Sequence, residues 1–215
     1  MIVVDIESSG LDSGKCGIWQ IGAIELENQK NYFLEEGRID DEDEVTEGAL
    51  KVTGKIEKEL RDKKKQSQKQ LILNYLKWVA PIKEKLFMGQ NVGWDISFIQ
   101  NKCLRYDIMD KFREAQSQRS FDLHTLAQDR YRQINGFYFL DEKGKSKMNL
   151  SAILELCGLP DDRINMTGSE VVKQGKSHNA LEDCKLTGEC FYRLIRGEKL
   201  FSEYSNYKIP GVLLK

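Results

Sequence analysis

Ile2-Val3-Val4-Asp5-Ile6-Glu7-Ser8-Ser9-Gly10-Leu11 is the stretch whose reading decides the fold. It opens on a short, nearly continuous apolar run, the pattern of a strand covered on both faces. Ser9-Gly10 and then Asp12-Ser13-Gly14 end it with turn chemistry. Asp5 and Glu7 stand two apart, so on a strand their side chains leave the same face. Paired acids on an exposed strand are commonplace, but this strand reads as central, where unpaired charge is costly. Two carboxylates about 4 Å apart repel by roughly 4 kcal/mol at an effective dielectric of 20. A hard divalent cation with oxygen ligands removes that conflict.

Outward from this strand, Ile18 to Leu26 and Asn31 to Leu34 read as two more strands, making a three-stranded meander. The acidic stretch 35–48 and the run Lys63-Lys64-Lys65 read as solvated loops or helix faces. Leu71, Leu73, Tyr75, Leu76, Trp78 and Val79 mark a helix that stops before Pro81. Leu86-Phe87-Met88 is a short buried strand, and Ile96, Ile99, Cys103 and Leu104 carry the helix after it. Ser120-Phe121 ends a further strand, and Asp122 caps the next helix. Residues 136–148 read as a hairpin or projecting loop. From Ser177 a last long helix has the seam Leu181, Cys184, Gly188, Phe191 and Ile195. The organisation is one α/β domain over residues 1–196, with 197–215 a tail packed on it.

Bulk properties narrow the function. The 215 residues suffice for one sizeable core. With 40% apolar and 31% charged residues, the chain is neither disordered nor membrane-spanning in composition. A formal charge of −1 argues against a protein that neutralises long nucleic acid through a basic surplus. Any action on nucleic acid is expected to be a local grip on a strand end, with metal ions supplying much of the positive charge. Five cysteines without a CxxC pair fit free thiols in a reducing cytoplasm better than a disulfide framework or a zinc knuckle. No leader peptide is expected at the N-terminus, and no apolar run approaches the ~18 residues of a membrane span.

Two further segments carry acids. Asp95 follows Gly-Gln-Asn-Val-Gly and sits in the first turn of a helix, where stabilisation of the helix dipole accounts for it equally well. Asn91 is expected to hold that turn through side-chain hydrogen bonds. His178 stands at or just before the last helix, and Asp183 lies five residues on. About 140° of rotation separates two helical positions five apart, so the pair shares a face if His178 is still in the loop. Glu182 reads as solvated, and His124 as structural or exposed.

In order and local context the three segments resemble the motifs of DnaQ-like, DEDD-type 3′–5′ exonucleases, in the subgroup whose third motif carries histidine. Asp5 to Leu11 is similar to the first motif, Asn91 to Asp95 to the second, and His178 to Asp183 to the third. Ile18 to Glu25 and Gly48 to Gly54 are similar to the segments between them. Residues 131–149 and 160–177 lie outside these motifs. The resemblance spans roughly residues 1–195 and implies a ribonuclease H-like fold: a mixed five-stranded sheet, its first three strands antiparallel, flanked by helices. It implies two divalent ions, Mg²⁺ or Mn²⁺, with Asp5 bridging them. Glu7 and Asp183 would complete one ion's site, and Asp95 would hold the other largely through water. His178 would be the general base, and Ser8, Ser9, Gly10 and Leu11 would meet the terminal nucleotide; a simple turn with Leu11 in the core is the other reading.

The implied activity is release of nucleoside monophosphates from the 3′ end of single-stranded DNA or RNA. A catalytically silent nucleic-acid-binding module is a reading of another class, and so is a polymerase- or repair-associated subunit docked through residues 208–214. Lys143, Lys145 and Lys147 could track a strand's phosphates or be simply solvated. Trp94 reads as buried packing.

Overall fold

Alternation along the first strand, β1 (Ile2–Ser8), divides the interior into two cores. Ile2, Val4 and Ile6 enter a cluster with Ile72, Tyr75, Ile99 and Phe112, while Val3 enters another with Met88, Leu123, Ile153 and Leu194. Both faces are covered, which is why the strand reads as continuously apolar. Asp5 and Glu7 share Val3's face by the same period of two. The computed structural model describes residues 1–116, 119–167 and 170–214.

β2 (Ile18–Glu25) pairs antiparallel with β1, and β3 (Tyr32–Glu36) antiparallel with β2. β4 (Phe87–Gly89) lies parallel to β1 on its other side, and β5 (Ser120–Asp122) parallel to β4. The order β3-β2-β1-β4-β5 is the expected mixed sheet, with β1 at its centre. Two short helices, α1 (Glu47–Thr53) and α2 (Glu57–Leu60), follow β3. α3 (Gln68–Val79), α4 (Val92–Arg105) and α5 (Met109–Ala115) cover one face. α6 (Leu123–Asn135), α7 (Leu150–Leu156) and α8 (Ala180–Arg196) cover the other. A separate antiparallel pair, β6 (Asn165–Thr167) and β7 (Glu170–Lys173), stands between α7 and α8. No helix among the described residues is long and apolar enough to cross a membrane.

Several expectations need correcting. The acidic stretch is not uniformly solvated: Asp43 is buried and accepts hydrogen bonds from Lys102 at 2.6 Å, Arg105 at 2.6 Å and Gln68 at 2.8 Å. Its hydrogen-bonded partners α3 and α4 lie far away in sequence, so local charge density could not reveal it. Leu104 and Ile195 are 58% and 51% exposed, off the buried seams of their helices. Residues 136–148 turn back through a single antiparallel bridge, Leu140 to Ser146, without a regular strand pair. Asp122 does cap α6, accepting from the His124 N–H, and it also accepts the Asn91 N–H, tying α6 to the start of α4.

Beyond α8 the chain folds back over the helix. The buried Arg193 donates to Glu189 and to the carbonyls of Cys157, Tyr204 and Tyr207, and Glu189 accepts the N–H groups of Leu200 and Phe201.

The Asp43 cluster joins the loop before α1 to α4. Asp43→Ala leaves Lys102, itself buried, without its counter-charge, and the expected loss is about 3–5 kcal/mol in urea unfolding. Combining it with Lys102→Met should recover part of that loss; a single-mutant loss under about 1 kcal/mol would contradict the buried pairing.

Candidate active site

Four carboxylates converge where β1 ends. Asp5 and Glu7 face α8, whose first turn carries Asp183. The side chain of Asn179 caps this helix, accepting from the Leu181 and Glu182 N–H groups at 3.2 Å each. α8 comes this close because Gly22, the ladder partner of Asp5, has no side chain: a Cβ there would lie 2.4 Å from the Ala180 carbonyl carbon. Gln20 on the same strand accepts the Ala180 N–H at 2.9 Å. Asp95 arrives from the opposite layer. Asn91 turns the chain from β4 into α4 with a left-handed backbone, φ 57°, and not through a side-chain cap as its residue type suggested. Asp95 Oδ1 then accepts the Ile6 N–H at 3.1 Å, from the backbone between Asp5 and Glu7.

His178 precedes the N-cap, in the loop. Its N–H donates to the Val52 carbonyl at 3.2 Å, and ring Nε2 lies 2.8 Å from the Ile164 carbonyl. A carbonyl can only accept, so Nε2 carries a proton. Nδ1 lies 3.5 Å from Asp183 Oδ2. Ligand atoms of Glu7, His178 and Asp183 all fall within 4.8 Å of one another, a grouping that could hold a metal ion. A residue that the sequence did not single out completes the cluster: Arg163 donates to Asp183 Oδ1 at 3.1 Å. Nothing in its local sequence distinguishes it from the other Lys and Arg residues.

Glu7, Asp95 and Asp183 are buried, and Asp5 is half-buried at the cavity floor. Burial pushes the carboxyls of Asp5, Glu7 and Asp183 above their ordinary range. The neighbouring carboxylates push Asp5 and Glu7 the same way, and the Arg163 guanidinium opposes the shift in all three. Burial raises Asp95 to about 8, against the pull of the Ile6 N–H. Oxygen donors that resist ionisation together, with an imidazole nitrogen beside them, are a donor set suited to divalent cations.

Asp5, Glu7, His178 and Asp183 line a cavity of about 810 Å³, a size suited to a small ligand or a chain end, while Asp95 lies off its lining. Ser8, Gly10 and Leu11 line it, with Leu11 82% exposed and not in the core. Ser9 does not: it is fully buried, donating to the Glu44 carbonyl and accepting the Gly17 N–H, so it braces the loop. Trp94 is only half-buried; it lines the cavity, packs on Phe98 and donates to the Leu11 carbonyl at 3.2 Å. Cys184, by contrast, is core: its thiol meets the Val3 and Gly22 carbonyls, and burial pushes it well up.

A raised folded-state pKa means that the folded chain holds protons that the unfolded chain has lost. For Asp95 this applies between its ordinary value of 3.8 and about 8, so the metal-free protein should lose stability as pH rises through that window. Asp43 and Asp161, held low despite burial by their Lys102 and Arg163 partners, act only at more acid pH. Thermal unfolding in chelator should therefore show Tm falling from pH 5.5 to 8, with a shallower fall in Asp95→Asn. Mn²⁺ should stabilise most at the upper end, and a flat or rising wild-type profile would count against the buried cluster.

The model of the exonuclease family RNase T matches residues 2–191. No curated protein matches by sequence. Among solved structures, Escherichia coli Exonuclease I in complex with a dT13 oligonucleotide is similar, with TM-score 0.62 and 16% identity over 89% of this chain and 40% of that one. Exonuclease I from Methylocaldum szegediense gives TM-score 0.62 and 14% identity over 92% and 41%. Cell-death related nuclease 4 gives TM-score 0.64 and 15% identity over 92% and 64%. Such identities speak to the fold, and the chain spans about two fifths of the Exonuclease I chains. The family match runs through every element that brings an acid to the site, and the chain belongs to the RNase T exonuclease family, with its DnaQ-like, ribonuclease H-like fold.

Proposed function

We propose that this chain is a metal-dependent 3′–5′ exonuclease that releases nucleoside monophosphates from single-stranded ends. The observation that carries the reading is the meeting of Asp5, Glu7, Asp183 and His178 at one cavity, with Asp95 held behind them on the Ile6 N–H. Two divalent ions, Mg²⁺ or Mn²⁺, when bound there, supply an activated water and stabilise the departing 3′-oxygen. Asp5, Glu7, Asp95 and Asp183 are the residues to hold them. His178 would take the proton of the attacking water at Nδ1, the ring nitrogen that Ile164 does not engage. Leu11 and Trp94 offer apolar surface to the terminal base at the cavity wall.

Oligonucleotide complexes of Exonuclease I, one of them a zinc-bound form with single-stranded DNA, support a single-strand substrate. The five buried free thiols support a reducing cytoplasmic setting. Docking to a polymerase or repair complex through the tail is less well supported, since Leu213 is buried and its carbonyl accepts from Arg130.

A second reading of His178, as a metal ligand, is favoured by its closeness to Glu7 and Asp183. If it is the base, His178→Ala should keep Mn²⁺ affinity while its rate falls about 10²–10⁴-fold; if it is a ligand, affinity falls as well.

The activity itself is tested with 5′-labelled DNA and RNA strands of matched sequence in Mg²⁺ or Mn²⁺. A ladder of single-nucleotide steps, abolished by chelator and by Asp5→Asn, is the expected result, and it reports the sugar preference directly. Metal uptake without any ladder would move the reading to a silent binding module.

A further inference from the structure

Residues 161–164 and 175–176 run side by side as a strap past the third-motif loop. Ile164 donates its N–H to the Lys176 carbonyl at 2.9 Å, and Lys176 donates its own to Asp162 at 2.7 Å. The two backbones run so close that a Cβ on Gly175 would lie 2.4 Å from the Asp162 carbonyl oxygen. This close passage brings Arg163 beside the carboxylate cluster.

Arg163 is 8% exposed, and its guanidinium is bound on two sides. Asp161 grips it as a fork, Oδ1 accepting from Nε at 2.9 Å and Oδ2 from Nη2 at 3.2 Å. Nη1 remains, and it donates to Asp183 Oδ1 at 3.1 Å. The other oxygen of Asp183 is the one that faces His178, 3.5 Å away. The next residue along the strap, Ile164, offers its carbonyl to His178 Nε2.

We infer that Arg163 is a positioning residue of this site: clamped by Asp161, it fixes the Asp183 carboxylate with Oδ1 engaged and Oδ2 turned toward Glu7 and His178. The inference rests on the metal-nuclease reading. A planar fork can satisfy Asp161 and still direct one N–H at Asp183, whereas a lysine ammonium is a point charge on a flexible stem. Partners that orient a metal-binding carboxylate through its second oxygen act on metal affinity as well as on rate. A mere counter-charge occupying the place of an ion would act in the opposite sense, because its removal would tighten metal binding.

The test is Mn²⁺ titration, followed by the spin-resonance signal of the free ion, on wild type, Arg163→Ala, Arg163→Lys and Asp161→Asn, each checked for folding by circular dichroism. Arg163→Ala is expected to bind about 10–100-fold more weakly. Arg163→Lys should not rescue it, and Asp161→Asn should fall between wild type and Arg163→Ala. Unchanged or tighter binding in folded Arg163→Ala overturns the inference, as does full rescue by lysine. Should Arg163→Ala not fold, unchanged affinity in Asp161→Asn overturns it instead. A folded wild type that takes up no Mn²⁺ sinks the nuclease reading itself, a different outcome from equal uptake by wild type and variant.

Discussion

Four carboxylates brought together at one end of the sheet are the constraint around which this molecule is arranged. Ionised carboxylates about 4 Å apart repel by roughly 4 kcal/mol at an effective dielectric of 20, and packing does not recover that cost. The elements that deliver the acids therefore have to be fixed by interactions away from the site. Gly22 lets α8 settle on β2, Asp122 ties α6 to the turn before α4, and the Asp43 cluster locks α4 to the loop preceding α1. Each tether is polar or steric and depends on residues far apart in sequence.

The sheet order explains where the acids gather. β1 is antiparallel to β2 but parallel to β4, so the helix after β4 begins at the same end at which β1 finishes. Side chains from β1 and from the first turn of α4 thus meet beyond the strand ends, in keeping with the general placement of sites in α/β sheets. α8 reaches the same end from the opposite layer by crossing Gly22. The Ile6 N–H that binds Asp95 makes the link literal, since the backbone carrying Asp5 and Glu7 also orients the acid from the other face.

Much of this was legible in the sequence because it is local. A strand covered on both faces, two acids two residues apart, an N-cap and a helix seam are each written within ten or so residues, and β1, α3 and the Asp122 cap follow that pattern. What escaped is made of pairings without a local signature. Ser9 resembles its neighbours in the first motif yet spends its hydroxyl on the Glu44 carbonyl. Asn91 serves through its left-handed backbone, and Trp94 shows a face to the cavity that helix periodicity does not disclose. Asp43 sits in a stretch that reads as solvated and Arg163 in one that lies outside the motifs, and their significance lies in what folds against them. Exposure of Leu104 and Ile195 shows the limit of periodicity from the other side, because an apolar residue at helical spacing can still fall on the rim of the buried stripe.

The same constraint bears on recognition. The cavity is lined by the acids Asp5, Glu7, Asp12, Glu44 and Asp183 against one lysine, Lys15, which already lies near Glu44. Such a surface repels a phosphate. Bound divalent cations are the largest charges in a site of this kind and reverse its local field. Under the nuclease reading, then, substrate and metal bind as one act, and affinity for a strand end is conditional on the ions in a way that a basic groove is not. A net charge of −1 is no obstacle to such an enzyme. Attraction limited to the few ångströms around the ions suits a chain terminus, where one phosphate must be placed, better than the length of a duplex, where many must be neutralised.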